Sequence, residues 1–401
     1  MEIRIAIFEP RSRITLAIIL AIISLVVTVK RFDQFASRYD DFDFNHFYGW
    51  GSRYRSGEDA WTKLEEGKTP SGVPRVCNQT PALLAAIAPL TLLNPRPAHA
   101  VWIIAQIVFL VLALWLLMRE IGPPLDVASG AMFIALALMF GSVRRIMLNA
   151  AFPPMLLLSL VISWKCARSN RPAVGGLFLA IAALLKLYPI ALAGYYLLRK
   201  RWSLLGWTAG FFAVGVVATG IENWLQLPLS REYTISEITR VSANHVALLP
   251  SVYALCARVA SDGARRWIAA IAVTVILDIV ITVVLVWATL AKANDSISDG
   301  LVFGLWLIAM VLVSPLSWRG ELVLLFPAYI FASVAGLRVS MEGRAFLSIQ
   351  VVTALVFVGV CAAVELIKAL PDFRPQTLTA ILIFIATTMM LSTWLDRQVS
   401  R

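Results

Sequence analysis

"HAVWIIAQIVFLVLALWLLM", residues 99–118, decides what kind of chain this is. It contains no Asp, Glu, Lys or Arg. At about 1.5 Å of rise per residue, a helix of that length covers the roughly 30 Å hydrocarbon core of a bilayer. Comparable apolar runs recur at 14–30, 127–142, 152–165, 203–220, 267–292, 300–317, 321–337, 345–368 and 377–395. In lipid only helices and closed barrels satisfy their own backbone, and none of these runs alternates as a barrel strand does. The expected fold is therefore all-α, a polytopic membrane protein with about ten full crossings in a single domain over 1–401.

Composition agrees. Hydrophobic residues make up 59% of the chain and charged residues only 15%, where a soluble protein carries about 25% charged. Mean hydropathy is +0.79. The net charge of +11 could point to nucleic acid. The Lys and Arg residues, however, sit at the ends of the apolar runs, where membrane orientation and lipid head groups account for them. No nucleic-acid partner is expected. Cys77, Cys166, Cys256 and Cys361 form no CxxC pair, so neither a zinc site nor a disulfide framework is indicated. The run Ile14–Val29 follows Arg11 and Arg13 and lacks a small-residue cleavage signal after it, so it reads as an uncleaved first span.

Two segments fit the pattern badly. Residues 81–94 reach only about 21 Å as a helix, too short to cross. Residues 173–199 are long enough, but Lys186 and Pro189 interrupt them. Lys165, Arg168 and Arg171 precede this second segment, and Arg199, Lys200 and Arg201 follow it. Basic residues in short loops mark the cytoplasmic side, so both its ends belong on one side, which a single crossing cannot give. A helix broken near Lys186 that dips in and returns would satisfy the charges, and a Pro-kinked span with tolerated charges is the alternative. If both segments re-enter, both termini are cytoplasmic. Loops 31–80, 143–151, 221–266, 318–320 and 369–376 then face outward.

The outer loops collect the residues suited to chemistry. The first carries Asp41, Asp43 and His46, the second Arg144 and Arg145, the third Asn244 and His245, and the fourth Trp318 and Arg319 within "SPLSWRGE", 314–321. As an interfacial helix, the first loop would place Asp43, His46, Phe47 and Trp50 on one face. Phe42, Phe44, Tyr48 and Tyr54 would then seat it at head-group depth. A half-desolvated carboxylate held there suits a general base, while solvated acids in an ordinary aromatic belt are the plainer alternative. "DFD", 41–43, has the form of a D-x-D metal motif, but no closed ligand set accompanies it, so neither metal nor cofactor is expected.

Four elements then occur in order. They are "DFNHFY" at 43–48 with "SGEDAW" at 56–61, "NQTPALLAAIAPLTLLNPRPAHAVW" at 78–102, "GGLFLAIAALLKLYPIAL" at 175–192 and "SPLSWRGELVLLFPAY" at 314–329. The set resembles the signatures of glycosyltransferase family 87, multi-spanning enzymes of the glycosyltransferase C superfamily. Three positions depart from the family pattern. "LNAAFPPMLL" stands where the family has G-Q-x-N, Arg319 and Gly320 replace the histidine after S-W, and Ala60-Trp61 replace a Pro-Tyr.

The resemblance implies a glycosyltransferase C-like fold and transfer of a sugar, of mannose or arabinose type, from a polyprenyl-phosphate donor to a cell-envelope glycolipid or glycan. The reaction is expected on the outer face of the plasma (inner) membrane, by inverting displacement. Asp43 takes the family's aspartate position as general base, with Asp41 and His46 beside it. Arg144, Arg145, Arg319, Trp318, Asn244, His245 and Lys186 are the candidate substrate-binding residues. A transporter or flippase for a lipid-linked substrate is the rival reading, since Lys186 and Asp278 lie within apolar segments. A non-catalytic membrane scaffold is a third.

Overall fold

The computed structural model describes residues 43–61, 77, 79–121, 143, 146, 151–226, 264–291, 295–314 and 319–341, with isolated positions at 19, 22, 384, 387, 388 and 391. Every regular element among them is helical, with no strand. Three helices are long and apolar enough to cross a membrane: Pro95–Glu120 (α3), the stretch Ile271–Leu290 of Ala264–Leu290 (α9), and Ser296–Val313 (α10). The expected runs 14–30, 127–142, 345–368 and 377–395 fall almost wholly outside the described residues.

Where the sequence marks a helix, the boundaries have local causes. Pro occupies the first turn of α3, of α4 (Pro153–Arg168) and of α5 (Pro172–Leu185), a position whose N–H has no partner within the helix. Asp295 caps α10 by accepting from Ile297 N–H at 2.8 Å and Ser298 N–H at 3.1 Å. That helix therefore begins four residues before the apolar run at 300. It ends at Val313, because Pro315 disfavours helical backbone at Ser314.

Segment 173–199 is broken. α5 ends at Leu185, Lys186 is extended (φ −155°, ψ 134°), and a 3₁₀ turn over Tyr188–Ala191 leads into a short helix, Leu192–Leu198 (α6). The next helix, Trp202–Ala218 (α7), runs parallel to α5. A Cβ on Gly176, near the start of α5, would stand 2.7 Å from Trp207 Cβ, and one on Gly215, near the end of α7, 2.3 Å from Leu184 Cδ1. Parallel neighbours require the chain between them to return. α6 therefore carries it back to the end where α5 began, so the segment is a hairpin of broken helix rather than one kinked span. Small residues permit this close approach of two backbones.

The returning end is tied down by charge. Asp299, at the start of α10, accepts from Trp164 Nε1 at 3.0 Å and from the Tyr195 hydroxyl at 2.7 Å. It also meets Arg168 Nε at 3.5 Å and Arg199 Nη2 at 3.4 Å. Glu120, closing α3, pairs with Lys165 at 2.6 Å and Arg168 at 3.0 Å. Both charged flanks of the hairpin are thus gathered at one end of the bundle. Lys186 lies at the other.

Residues 81–94 form a seven-residue helix, Pro81–Ile87 (α2), and a 3₁₀ turn over Ala88–Leu92. Together these fall short of the roughly 20 residues a crossing takes.

Candidate active site

The first polar stretch folds as a helix, Asp43–Ser56 (α1), with Asp43 as its first residue. Its buried residues are Phe44, Phe47, Trp50 and Gly51, while His46 is half-buried. The His46 and Phe47 rings lie 5.7 and 6.1 Å from that of Trp50, on one face as the sequence suggests, but what covers the helix differs from the sequence reading. Phe44, expected to face head groups, is fully buried and stacks on His99 of α3, ring centroids 4.6 Å apart. The tyrosines anchor to protein as well. Tyr48 donates to the Leu93 carbonyl at 2.9 Å, and Tyr54 donates to the Thr219 carbonyl at 3.1 Å. A hydroxyl that reaches a backbone carbonyl at a helix or turn end outcompetes a purely interfacial position, since those carbonyls have no partner within the helix and accept side-chain donors.

α1 lies across α2, with Gly51 against Ile87 and Thr91. Thr80 then links α2 to the break in the hairpin. Its hydroxyl accepts from Leu83 N–H at 3.3 Å, capping α2, and donates to the Leu185 carbonyl at 3.0 Å. That carbonyl is among those left without an intrahelical partner where α5 stops.

Phe152, at the entry of α4, is where the elements meet. Its ring centroid is 6.4 Å from that of Phe47 and lies 5.8 Å from the Lys186 ammonium. Lys186 also stands 5.1 Å from the Tyr188 ring and forms an ion pair with Glu321 Oε1. Glu321 belongs to the 3₁₀ turn Arg319–Leu325 and is 2% exposed. Gly320 of that turn packs beside the entry of α4. A Cβ there would lie 3.5 Å from Ile146 and 3.6 Å from Ala151 and Pro153. Those are ordinary van der Waals distances, so space alone does not dictate a glycine at the position of the family's histidine.

Of the candidates, Lys186 is brought to the Glu321 carboxylate of the Arg319–Leu325 turn, and the helix that Asp43 opens is brought to Phe152. The side chains of Asp43 and Arg319 lie outside the described residues, as do Asp41, Arg144, Arg145, Asn244, His245 and Trp318. Val143 and Ile146, on either side of the arginine pair, are buried. Among the described residues no group of three His, Cys, Asp or Glu gathers as a metal site would require. Glu321 and Phe152 were not singled out from the sequence. A signal for Glu321 existed, because a lysine inside an apolar segment calls for an acidic partner and Glu321 opens the apolar run "ELVLLF".

The family model of glycosyltransferase family 87 matches residues 80–315, more than half of the chain. The chain belongs to glycosyltransferase family 87. It is a membrane glycosyltransferase, with a sugar donor and an acceptor as substrates. The matched stretch contains the Thr80 cap, Phe152 and the Lys186 break. α1 lies just before it, and the Arg319–Leu325 turn lies just after it. No curated protein and no solved structure matches the chain.

Proposed function

We propose that this family 87 enzyme moves a mannose- or arabinose-type sugar from a polyprenyl-phosphate donor to a cell-envelope glycolipid or glycan, on the extracytoplasmic face of the inner (plasma) membrane. The observation that carries the reading is the convergence on Phe152 of α1, the Lys186 break and the Arg319–Leu325 turn, at the end of the bundle opposite the Asp299 cluster. An Asp that opens a helix packed on Phe152 is well placed to serve the acceptor.

The chemistry is a single inverting displacement. The acceptor oxygen bonds to the anomeric carbon and gives its proton to the Asp43 carboxylate, with Asp41 and His46 close by in sequence. The bond from that carbon to the phosphate oxygen breaks, and its electron pair leaves with the polyprenyl phosphate. Arg319, helped by Arg144 and Arg145, stabilises the charge that grows there, since a guanidinium matches phosphate in a two-pronged contact. Trp318, Asn244, His245 and Lys186 complete the substrate contacts. No cofactor takes part. Membranes carrying the wild type should transfer radiolabel from a polyprenyl-phosphate sugar to lipid or glycan, and membranes carrying Asp43→Asn should not.

The broken helix at Lys186 also supports a second reading, as a flippase for a lipid-linked sugar, because interrupted helices bearing charge line transport sites. In sealed vesicles a flippase would move labelled donor between leaflets without forming a new glycosidic bond.

A further inference from the structure

We infer that Arg171, Lys200 and Arg201 hold the phosphate of an anionic phospholipid at the end of the bundle where the hairpin starts and returns. The two turns there are built alike. Each contains a residue in left-handed backbone, Asn170 (φ 53°) in one and Lys200 (φ 54°) in the other. Each then bonds the following residue back to the preceding helix. Arg171 N–H donates to the Cys166 carbonyl at 2.8 Å, and Arg201 N–H donates to the Tyr196 carbonyl at 2.9 Å. Arg171 immediately precedes α5, and Arg201 immediately precedes α7. Those helices pack so closely that a Cβ on Gly175 would stand 2.8 Å from Leu204 Cδ1. Matching turns at the starts of parallel neighbours thus bring both arginines to the same edge of the bundle, with Lys200 next to the second.

The cations at this end divide into two sets. Lys165, Arg168 and Arg199 are partly buried, and Glu120 and Asp299 pair with them. Arg171, Lys200 and Arg201 are exposed, and they meet no acid among the described residues. The first turns of α5 and α7 contain no acid either. Asp299 relieves the repulsion between Arg168 and Arg199, and no described residue does the same for Arg171 and Arg201. An anion brought by the membrane supplies that charge.

The surroundings select a lipid over a free ion. Trp202, directly after Arg201, is 63% exposed, and Trp207 further along α7 and Val174 on α5 are exposed as well. An indole beside basic groups suits the head-group layer, and the apolar side chains beyond it suit acyl chains. Basic pockets between membrane helices take anionic head groups, and Arg grips phosphate with two parallel hydrogen bonds. The surface lies at the opposite end of the bundle from Lys186, so it is separate from the proposed reaction and does not rest on it.

Native mass spectrometry of the detergent-purified protein tests this, with phosphatidylglycerol, phosphatidylcholine and inorganic phosphate as probes. Wild type should retain phosphatidylglycerol in preference to phosphatidylcholine, and inorganic phosphate should not displace it. A basic residue at a membrane surface strengthens such binding about fivefold, so Arg171→Gln/Lys200→Gln/Arg201→Gln should lose about a hundredfold in affinity for phosphatidylglycerol. All three positions are exposed, so this variant should keep its melting temperature. Arg201→Gln alone should lose about fivefold, while Arg119→Gln, at another exposed cation of the same end, should change by less than about twofold. Undiminished retention of phosphatidylglycerol in the triple variant would overturn the inference. Equal losses in Arg201→Gln and Arg119→Gln would reduce the effect to diffuse attraction and overturn it too. Displacement by inorganic phosphate would make the ligand a free ion, with the same consequence.

Discussion

Arg168 and Arg199, which flank the broken hairpin on its two sides in sequence, meet on one carboxylate: Asp299 stands 3.5 Å from the first and 3.4 Å from the second. Two like charges held this close need an acid between them. Trp164 and Tyr195 use the remaining acceptor capacity of the same carboxylate. The Arg168 and Arg199 guanidinium groups also lie 5.0 and 5.9 Å from the rings of those two residues. One residue thus fixes α4, the end of α6 and the start of α10 together.

Asp299→Ala should therefore destabilise the protein by more than a surface ion pair would. Breaking a buried pair costs about 3–5 kcal/mol, and the partial exposure of both arginines brings the expected loss down to about 2 kcal/mol. Thermal unfolding in detergent measures it, with Asp299→Asn falling between the two because it keeps some hydrogen bonding. A melting temperature unchanged in Asp299→Ala would show that the cluster contributes nothing.

The hairpin fixes a topology that labelling can read. Cysteines placed at Ser169 and Arg201, in a background without native cysteines, should react with an impermeant reagent from the same side. In intact cells both should be protected, whereas a cysteine at Ser71 in the first loop should be labelled. Labelling of Ser169→Cys and Arg201→Cys from opposite faces would mean that 173–199 crosses after all.

For the proposed base, Asp43→Asn should lower transfer by about 10²–10⁴-fold, the usual contribution of a general base. Asp41→Asn should cost much less, and neither should change expression. Comparable losses in both variants would take Asp43 out of this role.

Arg319→Ala should weaken use of the phosphate donor strongly, and Arg319→Lys should recover only part of it, because a point charge replaces a planar fork. Arg144→Ala and Arg145→Ala should differ from one another, since adjacent residues on a helix could not both face one site. The informative measurement is inhibition by bare polyprenyl phosphate. If that inhibition survives intact in Arg319→Ala, the phosphate is held elsewhere.

By itself the sequence determined the class of fold. Apolar runs such as 99–118 have one physical solution in lipid, a helix, and the helix Pro95–Glu120 forms there. The same charge pattern required both ends of 173–199 to share a side, although it left a kinked span open until the parallel packing of Gly176 and Gly215 closed it. The order of the family elements likewise sufficed to suggest the family. What only the tertiary structure decided are the partners. Lys186 needed an acid, yet its acid stands 135 positions away. Glu321 opens an apolar run, as such a partner should, but nothing in the sequence pairs it with Lys186 until the turn is laid against the helix break. Asp299 was not singled out from the sequence, and it is the clasp of three helices. Phe44 looked interfacial and is buried, because hydrophobic pattern records how apolar a residue is and not whether lipid or protein covers it. Periodicity and charge act along the chain and can be read there. Pairing of buried polar groups is settled by which elements come into contact, and that is decided only by packing.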